Sequence, residues 1–188
     1  MATAPVRLAV VLASVRPERF GPVVADWFRR TVGERSDFDA TTVDLLDLDL
    51  PVDLSPSPGA DLLVAAIGAA DAVVLVTPEY NHGYPASLKT ALDTVKYEWR
   101  GKPIGFVSYG GVSGGMRATE QLRQVAAELH MVSVRDSVAF PRAKRAFDAE
   151  GRTSDGVASD AAARMLDQIH WWAVASAMAT SVREYPGR

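Results

Sequence analysis

Short, wholly apolar segments recur along this chain, each followed by a polar loop and a stretch of helical period, and this alternation constrains the fold most. Residues 8–12 (LAVVL) are apolar at every position. A run that is apolar throughout, yet too short for a helix, is how a strand buried on both faces of a parallel sheet reads. Residues 72–77 (AVVLVT) and 103–109 (PIGFVSY) repeat the pattern. Residues 38–46 alternate and carry Thr41, Thr42 and Val43, and residues 132–140 read as a fifth strand interrupted by Arg135 and Asp136. Helical spacing follows at Val23, Val24, Trp27 and Phe28, over residues 61–70, over residues 86–96 with Leu88, Leu92 and Val95 inward, over residues 118–129, and over residues 161–182 with Leu166, Ile169, Ala173 and Ala177 on one side. Strand and helix in alternation predict an α/β fold, a doubly wound five-stranded parallel sheet with helices on both faces, because each parallel crossover is right-handed and lays its helix on the sheet. At 188 residues the chain is read as one domain, 1–188, without internal repeats.

Ligands of such sheets sit beyond the carboxyl ends of the strands, and three unusual loops are predicted there. The first, residues 14–21, joins the first strand to the first helix with Ser14, Arg16, Pro17, Arg19 and Phe20 before Gly21-Pro22. Gly21 is read as the N-cap and Pro22 as the first helical residue. A helix start with unpaired N–H groups, a hydroxyl and two guanidinium groups suits a phosphate dianion. Neither G-x-G-x-x-G nor G-x-x-x-x-G-K-[ST] is present, so a terminal phosphate monoester is expected rather than a diphosphate bridge. The second loop, Pro78-Glu79-Tyr80-Asn81-His82-Gly83-Tyr84-Pro85, is bracketed by prolines and read as irregular. The third, Gly110-Gly111-Val112-Ser113-Gly114-Gly115, allows main chain to approach a flat ring closely. A phosphate attached to a flat heteroaromatic with a polar edge fits all three: a flavin.

Composition removes several other chemistries. There is no cysteine, hence no disulfide, thiolate metal site or cysteine nucleophile, and the three histidines, His82, His130 and His170, are too far apart in sequence to suggest a metal cluster. A net charge of −3 without a basic run argues against nucleic acid. MATAPVR does not read as a targeting leader, and Arg164, Asp167 and His170 interrupt the last apolar stretch, so no membrane association and a cytoplasmic location are expected.

Two other functions are open to these residues. Gly111-Val112-Ser113-Gly114-Gly115 matches G-x-S-x-G, with Asp136, Asp148 and His170 downstream in the order of a hydrolase triad. That reading leaves Ser14, Arg16 and the tyrosine loop without a role. A flavin- or nucleotide-binding module without turnover would share the fold.

The segments ASVRPERFG, TPEYNHGYPASLKTALD and SYGGVSGGMRATEQLR resemble the three signatures of the NADPH-dependent FMN reductase family, flavodoxin-like proteins that include quinone, chromate and azo-compound reductases. The resemblance runs over residues 7–141 and implies FMN as cofactor, NADPH or NADH as donor, and a small-molecule acceptor such as a quinone, chromate, an azo compound or free flavin. It implies that Ser14, Arg16 and the Arg19-Phe20-Gly21 turn hold the FMN phosphate. Pro78, Glu79, Tyr80 and Asn81 would line the isoalloxazine, with Ser108, Tyr109, Gly110 and Gly111 closing its other edge. The chemistry is then the cofactor's, no side chain acts as acid or base, and backbone N–H groups of residues 79–81 are expected to face the reduced ring. A homodimer or homotetramer is implied too, with an interface role for Tyr97, Trp99, Trp171 or Trp172. Ala13 and Arg19 stand where the family often has glycine and serine, and Gly83 where a polar residue is frequent.

Overall fold

The computed structural model describes residues 4–186; residues 1–3 of the MATAPVR segment lie outside the described residues. The elements are β1 (Val6–Leu12), α1 (Gly21–Gly33), β2 (Phe38–Asp44), a 3-10 turn (Leu45–Asp47), α2 (Pro58–Ala69), β3 (Ala72–Pro78), α3 (Ala86–Thr94), β4 (Pro103–Tyr109), α4 (Met116–Glu128), β5 (Val132–Ser133), β6 (Val138–Phe140), α5 (Ala143–Ala146) and α6 (Gly156–Val182). All sheet pairings are parallel, in the order β2-β1-β3-β4-β5, and β6 also pairs with β4. This is the flavodoxin-like α/β fold, with β5 and β6 as two halves of the fifth strand. The chain leaves the sheet at the Arg135-Asp136 interruption. Arg123 of α4 donates to the Val134 and Arg135 carbonyls there, while Arg164 and Gln168 of α6 take the Asp136 carboxylate.

Strand periodicity sorts the core into two layers. Leu8, Val10 and Leu12 of β1, with Val74, Val76, Val107 and Tyr109, face α1 and α6; Ala9, Val11, Val73, Leu75, Ile104 and Phe106 face α2, α3 and α4. Helix α6 lies close over β4, since a Cβ on Gly105 would come within 2.8 Å of Ile169 Cδ1 and Met165 Sδ. Leu166, Ile169 and Ala173 are buried as expected, whereas Ala177 is exposed because the last turns of α6 run past the sheet.

Several boundaries differ from the sequence reading. Phe20 is the N-cap of α1, and Gly21 is its first residue. Helix α2 begins earlier, at Pro58, because Ser57 Oγ accepts from the Ala60 N–H at 3.1 Å. Residues 143–159, read as a polar excursion, contain α5 and the first turn of α6, which Asp155 caps. Trp99 is buried and donates from Nε1 to the Leu92 carbonyl at 3.2 Å, so it belongs to the core and is withdrawn from any interface. Tyr97, Trp171 and Trp172 are exposed. Among the described residues no helix is long and apolar enough to cross a membrane.

Candidate functional site

The parallel sheet brings the three loops to one rim, at the carboxyl ends of β1, β3 and β4. The first loop leaves β1 at Ala13, whose carbonyl accepts from Ser87 Oγ of α3 at 2.7 Å. Ser14 is fully buried, and its hydroxyl meets the Tyr80 hydroxyl at 2.7 Å. Arg16 lies over the Tyr80 ring, 5.2 Å from its centroid. Arg19 behaves differently from its neighbour. It donates to both carboxylate oxygens of Asp44 at 2.6 and 2.5 Å and to the Ser14 carbonyl at 2.5 Å, clamping the loop to the end of β2. Its charge is already matched, which leaves Arg16 as the cation of this loop open to an anion.

The second loop is more regular than its prolines suggest. Tyr80 and Gly83 exchange backbone hydrogen bonds at 2.9 and 3.1 Å, and Asn81 and His82 between them have φ of 48° and 77°. Positive φ at both central residues is the requirement of a type I′ hairpin, for which asparagine is suited. The Glu79 N–H donates to the Tyr109 carbonyl and the Tyr80 N–H to Gly83. Of the three amides expected to face a ring, only Asn81 N–H has no protein partner among the described residues. Burial pushes the Glu79 carboxyl up, but the Ser113 hydroxyl and Arg117, through its N–H and guanidinium at 3.1 and 3.0 Å, outweigh that and hold it below the ordinary range. Glu79 thus caps α4 from another loop, its side chain directed at that helix.

Ser108 and Tyr109, adjacent in β4, point to opposite faces. Ser108 donates to the Gly114 carbonyl at 2.9 Å beneath the glycine loop, so its side chain is withdrawn from the rim. The tight turn is made by Gly114 and Gly115, with φ of 64° and 92°; a Cβ on Gly115 would lie 2.5 Å from Ser108 Cβ. Tyr109 turns to the α1 side, under the start of that helix, rather than to the edge of a ring. A Cβ on Gly21 would lie 2.8 Å from Tyr109 Oη, so only glycine admits the phenol there. This hydroxyl is buried near Ser14 and, among the described residues, makes no hydrogen bond of good geometry. Burial raises its pKa well above the usual phenol value, and Tyr80 adds to the shift against smaller opposing effects of Ser14 and Arg19. Above it, α1 has neither a capping side chain nor an acidic residue in its first turn. An uncapped, electropositive helix start is suited to an anion.

These groups line a cavity of about 540 Å³ bounded by Arg16, Arg19, Phe20, Pro78, Glu79, Tyr80, Tyr109 and Gly110, and also by Arg142, Ala143, Lys144 and Arg145. Sequence reasoning missed this last group, although three cations in four residues after a strand's carboxyl end is a readable signal. Asn81 and Gly111 stand exposed beside it, Gly111 with open space where a side chain would lie. A cavity of about 590 Å³ lined by Arg7, Asp71, Lys102, His130 and Tyr185 lies at the strands' amino ends, away from all three loops.

The hydrolase triad is not assembled. Ser113 is on the rim beside Glu79, whereas His170 sits 3.8 Å from Asp37, which precedes β2 at the opposite end of the sheet. Asp136 is engaged by Arg164 and Gln168, so the Ser113, Asp136 and His170 triad does not form.

Comparison with known proteins decides the family. A model of the NADPH-dependent FMN reductase family matches residues 6–145. An NAD(P)H-dependent FMN reductase of Schizosaccharomyces pombe is 40% identical over 138 residues, covering 66% of this chain and 68% of that protein. The chain belongs to the NADPH-dependent FMN reductase family. An NADPH:quinone oxidoreductase of Arabidopsis thaliana is 32% identical over 135 residues, 68% of each protein. The fold is shared with FerB, a flavoenzyme NAD(P)H:(acceptor) oxidoreductase from Paracoccus denitrificans, at a TM-score of 0.74 and 24% identity over 91% of this chain and 98% of that one. This FMN reductase homologue is therefore an oxidoreductase of the NAD(P)H- and FMN-dependent class. The donor set of the cavity suits FMN: the uncapped start of α1 and Arg16 would suit a phosphate, and the Pro78-to-Asn81 and Gly110-Gly111 main chain would offer a wall for a flat ring.

Proposed function

We propose that this FMN reductase homologue binds FMN in the rim cavity and carries electrons from NAD(P)H to a quinone. The observation that carries the reading is the start of α1 at the rim, which has no capping side chain and no acidic residue in its first turn and opens beside Arg16 at the cavity. In this reading Ser14, Arg16 and the main chain of Phe20 and Gly21 hold the phosphate, and Arg19 positions their loop through Asp44. Pro78, Tyr80, Asn81, Gly110 and Gly111 line the ring, with the Asn81 N–H as donor to its polar edge; Glu79 and Ser108 hold that wall in shape. When bound, FMN supplies two-electron exchange between nicotinamide and acceptor, and no side chain is needed as acid or base. Exposed Val112 and Met116 beside the glycine loop offer apolar surface to a quinone ring, and the quinone reductase names of the Arabidopsis thaliana and Escherichia coli relatives point the same way. The exposed Tyr97, Trp171 and Trp172 support assembly as a homo-oligomer.

The test is a visible absorbance spectrum of the purified protein, taken before and after anaerobic NADPH and again after a benzoquinone. Two flavin bands that bleach with NADPH and return with the quinone are expected. A protein that stays colourless after incubation with FMN and desalting overturns the cradle. Bleaching without recovery overturns the quinone and turns attention to azo compounds, chromate or free flavin.

A further inference from the structure

The cavity carries more unpaired positive charge than its phosphate cradle needs. Arg142, Lys144 and Arg145 line it from the turn after β6, and none has a carboxylate partner among the described residues, in contrast to Arg19. Of the two carboxylates on the cavity, Glu79 is engaged by Arg117, which leaves Glu18. The turn is built rather than loose. The Arg142 N–H donates to the Gly111 carbonyl at 2.6 Å and the Ala143 N–H to the Gly110 carbonyl at 3.2 Å. Ala143 is buried below, and Phe147 packs edge-on against Phe20 and Trp27 and tilted against Phe140. Arg142 has φ of 49°, a conformation costly for a side chain with a Cβ, here fixed by its amide bond to Gly111. Pinned from beneath, the turn leaves its three cationic side chains exposed at the cavity.

We propose that Arg142, Lys144 and Arg145 form a second anion subsite, which takes the 2′-phosphate of NADPH and makes this cavity select NADPH over NADH. The inference rests on the FMN reading above, since the nicotinamide must reach a ring lying against the wall to which this turn is bonded. Two guanidinium groups and an ammonium within four residues match a phosphate monoester dianion, with the guanidinium planes able to grip its oxygens in pairs. Arg16, on the first loop, stays with the FMN phosphate.

The experiment uses the FMN-loaded protein and the variants Arg142→Gln, Lys144→Gln and Arg145→Gln, singly and together, with thermal unfolding to verify each fold. Calorimetry compares adenosine 2′,5′-diphosphate with 5′-AMP, which differ only in the 2′-phosphate; fluorescence titration gives FMN affinity; and steady-state rates give the NADPH:NADH ratio of kcat/KM. The triple variant should bind the diphosphate about tenfold or more weakly, as expected for loss of charge-assisted contacts, with 5′-AMP and FMN affinities changing less than about twofold. The kcat/KM ratio should fall by a similar factor. Equal losses for the diphosphate and 5′-AMP would overturn the assignment in favour of a 5′-phosphate contact common to both donors. Weakened FMN binding with unchanged selectivity would overturn it in favour of the flavin's own phosphate. A wild-type protein that takes up no flavin overturns the underlying reading, and this inference with it.

Discussion

The Tyr109 ring packs among apolar side chains between the sheet and α1, while its hydroxyl is buried near Ser14 and makes no well-formed hydrogen bond among the described residues. An unsatisfied buried polar group costs about 1–3 kcal/mol. Tyr109→Phe should therefore raise the stability of the flavin-free protein by about 1 kcal/mol in urea unfolding. Gly21→Ala places a methyl 2.8 Å from Tyr109 Oη and from Leu12 Cδ1, and should lose FMN binding along with about 1–3 kcal/mol of stability. Lys102, at the other end of the sheet, donates to the Ile67 carbonyl, and burial lowers its ammonium pKa to about 8 despite nearby Asp71. Because that value lies below the unfolded one of 10.5, the folded state holds fewer protons between the two, and this group's contribution to stability rises with pH across that window. Lys102→Met should flatten that limb of the pH–stability curve. That Ser14, Arg16 and Gly21 share one loop at the rim was legible from their order alone. The role of Tyr109 was not, because which face of β4 it occupies decides whether it reaches a ring edge or a helix start.

Helices α1 and α4 both begin at the rim, yet they differ in how their starts are satisfied. Glu79 occupies the start of α4, and among the described residues no side chain caps that of α1. Since the Glu79 carboxyl is held below its ordinary range, its contribution is complete at neutral pH and is lost as pH falls through the depressed value. Glu79→Gln should cost about 1 kcal/mol in urea unfolding at neutral pH, and the gap to wild type should close in acid. The sequence showed that the segments after β3 and β4 were loops, from their prolines and glycines. It did not show the Tyr80–Gly83 hairpin, whose signal is usually Asn-Gly and here has His82 in the second place, nor the bond from the second loop to the start of α4 through Glu79, which is long-range. The break in the fifth strand was visible as Arg135-Asp136, because charge in a buried strand needs partners from outside the sheet.

Across the whole molecule, β1, β3 and β4 are covered on both faces and lie inside the sheet, while β2 and the split β5 and β6 form its edges. Amide hydrogen exchange should be slowest in β1, β3 and β4 and measurably faster in β6, whose three residues pair only with β4. The topology was legible because wholly apolar short runs have few other solutions. The second wall of the cavity had a signal in three cations within four residues, but its place at the rim follows only once the fifth strand has been set in the sheet. The Arg19–Asp44 clamp ties the first loop to the end of an edge strand, and the Ser14–Tyr80 contact ties it to the hairpin. A receptacle fastened on two sides is already in shape when its occupant arrives, so no loop must be ordered during uptake. Cofactor loading then becomes a simple bimolecular encounter guided by the unpaired cations, and its association rate should fall as ionic strength rises while the dissociation rate hardly moves.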